Sequence, residues 1–359
     1  MDIRIKEEYV KKAMELHQKY PVVDAHLDLA GEILLRTEAG EKNIIRTYYL
    51  ENWKKAGINL IMSSVYVPNH ILRAKGTEGA WENAMQQIEV LKRDCKSLKN
   101  VMIVTSVKEL QQVLDENKIG ILIYMEGLCC IGTDLEKLEQ LHALGVRGAA
   151  LTWSRENALA MGCCKASEHR QMPGGLSELG RAAVRKIEEL SWFLDVSHLN
   201  DDGFEDVAMF AGRPFLATHS CARAVYDNYR NLTDEQMRAL TEKGGVMGLN
   251  GCRLITGSQS GNHLEMLCLH AEYEARKIGA EHVGFGFDLC DSYDRAEYAL
   301  RKKSDESAKP PKEADCLLDH GQIPLVTAAL IARGMREEDV IGIIGKNFIN
   351  FLKKTLPEE

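Results

Sequence analysis

No apolar run in this 359-residue chain approaches the ~18–20 residues of a membrane helix, so a spanning segment is not expected. The stretch from Met1 to Tyr20 is charged throughout and lacks the apolar core of a signal peptide. No apolar tail follows Leu356-Pro-Glu-Glu359, which argues against a lipid-anchor signal. A basic stripe is also missing. The formal charge is −8, and the one dense basic cluster, Arg301-Lys302-Lys303, is followed at once by Asp305 and Glu306. Nucleic acid is therefore not an expected partner, and neither is a membrane. There is no CxxC, and the 10 cysteines include the adjacent pairs Cys129-Cys130 and Cys163-Cys164. That spacing does not suit a disulfide framework, so reduced thiols in a cytoplasmic protein are expected. Neither a GxGxxG opening a helix nor a GxxxxGK[ST] loop occurs, and no internal repeat is visible.

What is present is ordinary for a globular protein, with 45% apolar and 27% charged residues. This excludes disorder and allows a core large enough to need no disulfide or metal for stability. Short apolar runs recur at Val22–His26, Ile58–Tyr66, Val101–Ser106, Gly120–Met125, Val146–Trp153, Phe193–His198, Pro214–His219, Gly245–Asn250 and His282–Asp288. Runs of this length suit strands buried on both faces, as in a parallel sheet. Helical patterns lie between most of them, at 134–145, 176–190, 200–210, 233–243, 264–278 and 337–352, and Thr233-Asp-Glu-Gln236 fits a capping box. The expected fold is α/β, a (β/α)₈ TIM barrel of the metal-dependent hydrolase type, with a doubly wound sheet as the alternative. Residues 1–359 are read as one barrel domain. Residues 1–20 would form an outer N-terminal helix, with long loops near 154–175 and 292–311.

Five of the apolar runs end in a residue able to bind metal or move a proton. They supply His26 and Asp28, Glu126, His198, His219, and Asp288. Strand C-termini of a parallel barrel open onto one face, so these residues should converge although far apart in sequence. His26 and Asp28, at i and i+2 on a strand, would share one ion. His198 and His219 are about one strand-helix-strand step apart and would share a second. Glu126 has two oxygens with which to bridge them. Imidazole plus carboxylate favours Zn²⁺ or another first-row ion over Mg²⁺ or Ca²⁺. Two ions ~3.5–4 Å apart would hold a bridging hydroxide for hydrolysis, and Asp288 would move the proton to the leaving amine.

These residues resemble the membrane dipeptidase (renal dipeptidase) family of zinc metallopeptidases, peptidase family M19, over about Pro21 to Phe351. The motifs are Val23-Asp-Ala-His-Leu-Asp-Leu29, Met125-Glu-Gly127, Asp195-Val-Ser-His198, Thr218-His-Ser-Cys-Ala-Arg-Ala-Val-Tyr226 with Tyr229-Arg-Asn-Leu232, and His282-Val-Gly-Phe-Gly-Phe-Asp288. The resemblance implies a barrel with a binuclear zinc centre that hydrolyses dipeptides, some with a C-terminal D-residue. It places the first metal on His26 and Asp28, the bridge on Glu126, and the second metal on His198 and His219. It also gives the acid/base role to Asp288 and substrate-carboxylate binding to Arg230, whose guanidinium suits a bidentate partner. The chain is expected to be a soluble bacterial-type member without the signal and anchor segments of the membrane form, and the resemblance allows a homodimer.

One departure stands out. Trp153, in Leu151-Thr-Trp-Ser154, occupies the position of a family His that contacts substrate. Indole donates one N–H and cannot act as a base, so the substrate range is affected rather than the metal centre. His169 is the nearby loop imidazole that would compensate if it reached the site. Cys129 and Cys130 are read as buried small hydrophobes, and Asp24 as structural and facing away from the site. Tyr66 is either a substrate contact or core, and Asn157 and Gly162 are candidates for shaping the pocket. His17, His70, His142, His263, His270, His282 and His320 are given no role. The competing functions are an amidohydrolase-like metallohydrolase acting on another small amide or ester, and a non-catalytic binding protein. HxD with Glu126, in place of HxH with a carboxylated Lys, favours the dipeptidase.

Overall fold

The computed structural model describes residues 5–359 except 164, 168, 169, 172, 259, 260 and 304, with backbone alone at 165–167, 170 and 171. Each of the apolar runs named above contains a strand. In chain order the strands are β1 (Val22–Leu27), β2 (Ile58–Tyr66), β3 (Val101–Ile103), β4 (Ile119–Glu126), β5 (Val146–Ala150), β6 (Lys165–Ser167), β7 (Arg170–Gln171), β8 (Phe193–Asp195), β9 (Ala217–Ser220), β10 (Met247–Leu249) and β11 (Val283–Phe285). Parallel pairing runs β1-β2-β4-β5-β8 in one sheet, with β3 beside the start of β4, and β9-β10-β11 in a second. Backbone hydrogen bonds join the two sheets at both ends. Leu216 N donates to Leu194 O at 3.0 Å and Val196 N to Leu216 O at 2.9 Å. At the other seam Asp288 N donates to His26 O at 3.3 Å. The five-strand path and the three-strand sheet thus curl into a (β/α)₈ barrel.

Buried carboxylates complete both seams where the ladder runs short. Asp24 accepts from Phe287 N at 2.9 Å and pairs with His320 Nε2 at 3.0 Å. Asp195 accepts from Thr218 N and Ser197 N, each at 3.0 Å. Backbone N–H groups buried at a seam need such acceptors. Asp24 is therefore structural, as expected.

The strands are apolar on both faces. Val23, Ala25, Leu60, Met62, Leu122 and Tyr124 form part of one core cluster, whereas Val22, Ile61, Val65, Ile121, Ile123 and Met125 belong to the other. Two register irregularities matter for the site. One lies between Asp24 and Leu27 of β1. The other lets Ala217 and Ser220 of β9 face Met247 and Leu249 of β10. Such bulges re-aim the side chains beside them. Here they fall at His26 and His219.

The helices largely follow the sequence pattern. The capping box forms, with Gln236 N donating to Thr233 Oγ1 at 3.2 Å and Thr233 N to Gln236 Oε1 at 2.8 Å. The N-terminal helix, Glu7–Lys19, packs outside the strands against Ile323–Ala332, where His17 Nε2 meets Thr327 Oγ1 at 2.8 Å. The expectation of a long loop over 292–311 is corrected, because its first part is the helix Asp291–Lys302. Acidic residues in its first turn and basic residues in its last favour the helix dipole. The expected loop at 154–175 carries the short antiparallel pair β6–β7. The 337–352 pattern is divided into Glu337–Ile341, a π-helical turn Gly342–Lys346, and Asn347–Thr355.

Candidate metal centre

The C-terminal ends of five strands, β1, β4, β8, β9 and β11, with the residues just beyond them, bring the six predicted residues together. Leu122, Tyr124 and Glu126 alternate along β4, and register places Glu126 level with Tyr66 and Ala150. His26 Nε2 lies 3.8 Å from Glu126 Oε1, 3.9 Å from Asp28 Oδ1 and 3.4 Å from Asp288 Oδ1. His198, just beyond β8, places Nε2 2.9 Å from Glu126 Oε1. His219 Nε2 is 3.5 Å from the same oxygen and 2.9 Å from His198 Nε2. His26, Glu126, His198 and His219 are buried, whereas Asp28 and Asp288 are partly open.

Each imidazole turns Nε2 inward, and each Nδ1 meets a hydroxyl. His26 Nδ1 pairs with Tyr124 Oη. His198 Nδ1 lies 3.0 Å from Ser154 Oγ. His219 Nδ1 lies 2.6 Å from Thr218 Oγ1, which bonds Asp195 Oδ2 at 2.6 Å. With Thr218 donating to Asp195, His219 Nδ1–H donates to Thr218 and Nε2 keeps its lone pair. A partner on one ring nitrogen fixes the tautomer and leaves the other for a metal. Ser64 Oγ likewise donates to Asp28 Oδ1. The motifs alone do not single out Tyr124, Ser154, Thr218 or Ser64. Their hydroxyls fit ordinary strand and loop chemistry, and alternation with Glu126 is the one available signal, for Tyr124.

Charge is unevenly distributed. Burial works against a proton on His26, but Glu126, Asp288 and Asp28 overcome it and raise its pKa to about 10. Burial pushes Glu126 and Asp28 up as well. Burial, then the positive charges of Arg230 and His26, lowers His198 well below the ordinary range, and His219 is lowered similarly. Asp288 is held below the usual carboxylate range: burial raises it, but His26, Cys290 and Arg230 outweigh that. Among the described residues His26 Nε2 has no hydrogen-bond partner. A buried orphan nitrogen facing three carboxylates, beside two neutral imidazoles, is a fitting donor set for divalent cations. His26 groups with Glu126 and His219, and again with Asp28 and Asp288, at distances suited to an ion.

The sequence model of the membrane dipeptidase family, peptidase family M19, matches residues 10–357. The chain belongs to this family. Human Dipeptidase 3 is 24% identical over 356 residues, which span 96% of this chain and 67% of the human protein. Dipeptidase verJ of Clonostachys rogersoniana is 25% identical over 356 residues, 96% of this chain and 86% of that one. A solved Rhodobacter sphaeroides metallopeptidase, liganded with a phosphinate mimic of L-Ala-D-Ala, has a TM-score of 0.77 at 26% identity, covering 94% of this chain and 99% of its own. The M19 chain is thus a metal-dependent peptide-bond hydrolase, a dipeptidase. No helix among the described residues is long and apolar enough to cross a membrane.

In this M19 member Arg230 reaches the centre from the segment after β9. It is buried, donates to Ser197 O, and places Nη2 3.2 Å from His219 O and 3.4 Å from His198 Nε2. Trp153 stacks on His198 with centroids 5.7 Å apart and meets the Tyr66 ring at 5.1 Å. It therefore forms a wall of the site, and Tyr66 stands with it. Glycines make room for the Trp153 backbone on two sides. A Cβ on Gly127 would meet Trp153 N at 2.8 Å, and one on Gly162 would meet Trp153 O at 2.2 Å. Asn157 shapes the same loop, donating to Leu151 O at 2.7 Å and accepting from Leu159 N at 2.8 Å. Asp288 adopts φ 54°, an uncommon conformation outside glycine. Asn250 Nδ2 donates to its Oδ2 at 3.2 Å, and Cys290 Sγ lies 3.2 Å from its Oδ1. Cys130 is buried and Cys129 partly so. His169 lies outside the described residues.

Proposed function

We propose that this dipeptidase cleaves the peptide bond of dipeptides, including those with a C-terminal D-residue, at a centre for two zinc ions. The observation that carries the reading is the convergence of three Nε2 atoms and three carboxylates beside one guanidinium. His26 and Asp28 would hold one ion, His198 and His219 the other, with Glu126 shared. Bound there, zinc supplies Lewis acidity for the scissile carbonyl and lowers the pKa of an attacking water.

The chain's own groups do the rest. Asp288 is ionised at neutral pH and open enough to meet substrate, so its carboxylate accepts the water proton and passes it to the leaving amine. Asn250 and Cys290 hold that carboxylate in its left-handed backbone position. Arg230 binds the free carboxylate of the substrate, which selects dipeptides over blocked amides. The faces of Trp153 and Tyr66 pack against the substrate and limit water, taking the place of a side chain that would hydrogen-bond it. The L-Ala-D-Ala mimic carried by the Rhodobacter sphaeroides relative supports acceptance of a D-residue.

The test is hydrolysis of an L,L and L,D dipeptide panel by zinc-loaded protein, beside a chelator-treated control. Chelator-sensitive cleavage, with turnover in the L,D column, is expected. No cleavage by protein that retains its metal would overturn the substrate assignment and favour another small amide or ester.

A further inference from the structure

A second cluster of donors lies outside the centre just described. The helix His263–Ile278 carries His270 and Glu274 four residues apart, so both fall on one helical face. That face is buried against the segment after β9, where Cys221 follows His219 and Ser220. One ligand atom from each of Cys221, His270 and Glu274 lies within 4.8 Å of the others. All three residues are fully buried.

Glu274 is the unusual member. Among the described residues neither of its carboxylate oxygens has a hydrogen-bond partner. The Ala222 amide gives it slight relief, but the hydrogen bond of that amide goes to His270 Nδ1 at 3.3 Å. A buried carboxylate without partners is costly in either protonation state, and it is aimed at a thiol and an imidazole. His270 is already oriented as a ligand would be. Its Nε2 lies 3.1 Å from Thr256 O, so Nε2–H donates there and the Nδ1 lone pair faces the cluster, where it accepts from Ala222 N, a bond that an entering ion would replace.

We propose that Cys221, His270 and Glu274 form a separate structural site for a thiophilic divalent cation such as Zn²⁺. Thiolate sulfur, imidazole nitrogen and carboxylate oxygen are all zinc donors. The Asn250 carbonyl oxygen, 3.6 Å from Cys221 Sγ, is a fourth donor group beside the thiol. Binding balances in charge: the thiol and the neutral carboxyl each release one proton, and one dication enters. The ion satisfies the Glu274 oxygens and ties the helix His263–Ile278 to the segment that continues from His219 to Arg230. It does not touch the reacting atoms.

Cobalt(II) loading of the full chain tests this directly. The donors of the candidate catalytic centre are nitrogen and oxygen, so a sulfur-to-cobalt charge-transfer band reports a thiolate ligand. Wild-type protein should show the band, and Cys221→Ala and Glu274→Gln should lose it. Glu274→Gln, close to isosteric, should bind one cobalt fewer per chain while cleaving dipeptides within about twofold of wild type. No band in wild type would overturn the site and leave Glu274 a buried neutral acid. A band that persists in Cys221→Ala would overturn it too.

Discussion

The two sides of the metal centre differ in how they present a cation site. On one side His26 faces three carboxylates, and the local field is negative enough to hold a proton on a fully buried imidazole. On the other, His198 and His219 stand beside Arg230, and burial with positive charge keeps both neutral. Glu126 faces both sides. The acidic side attracts a cation and carries Asp288, the group proposed above to move protons. The imidazole side offers lone pairs and holds the Arg230 guanidinium, the group proposed above to bind the substrate carboxylate. A centre with carboxylates on every side would repel a substrate carboxylate. On the proposed reading, separating the charges would let one end of a dipeptide approach Arg230 while the other end meets the acidic edge.

The sharpest way to break this comparison is on the acidic side. Asp288→Asn should keep metal content and lower turnover by roughly 10²–10⁴-fold, the usual scale of a general acid/base. Near-normal rates would place proton transfer elsewhere. On the imidazole side, His198→Ala should lower metal content by about one equivalent per chain, since one of the three or four donors of an ion is removed. Unchanged stoichiometry by elemental analysis would break the ligand assignment.

Arg230→Ala should cost roughly 10–100-fold in kcat/KM on free dipeptides, the worth of a charge-assisted pair, and much less on a substrate with a blocked C-terminus. Equal losses on both substrates would make Arg230 a positioning residue for His198 and the Ser197 carbonyl. Ser154→Ala removes the hydroxyl 3.0 Å from His198 Nδ1. It should weaken metal binding by about tenfold or more, measured by competition with a chromophoric chelator.

The smallest effect concerns the chelated protein. A His whose folded pKa is raised stabilises the fold fully below its unfolded value, near 6.5, and loses that contribution as pH rises through the folded value of about 10. Glu126 and Asp28, also raised, act in the same direction from lower pH. Thermal melts of chelated protein should therefore fall across pH 6.5 to 10 more steeply than those of metal-loaded protein. Parallel curves would mean that the cation is not what balances the acidic side.

Much of this was legible in the chain. Five apolar runs ending in His, Asp or Glu predicted both a parallel barrel and the face on which the residues would meet. Continuous burial along β4 and the capping box at Thr233 follow from local chemistry, and both appear. The helix Asp291–Lys302 was misread because its charge suggested a loop, although its apolar side packs on the neighbouring helix Leu29–Glu38. The hydroxyls on the three Nδ1 atoms were not legible, because Tyr124, Ser154 and Thr218 come from different segments, and even where Thr218 opens a motif nothing in the sequence marks its hydroxyl as the partner of His219 Nδ1. Nor was the Cys221–His270–Glu274 cluster, whose members are up to 53 residues apart, as 274 − 221 gives.

β1 shows where the division lies. The sequence placed His26 and Asp28 near each other, and Asp24 reads from it as structural and facing away from the site, an orientation that strand alternation alone does not supply. In a regular strand Asp24 and His26 share a face, since side chains alternate with period two. Only the register shift against β2 separates them, giving Asp24 to the seam with Phe287 and His320 and His26 to the centre. The sequence by itself determined the residue types, their order and their positions at strand ends, because hydrophobic periodicity and local donors are written along the chain. The tertiary structure alone decided which face each bulged residue takes, which hydroxyl fixes each imidazole and where charge gathers, because these depend on pairing between strands far apart in sequence.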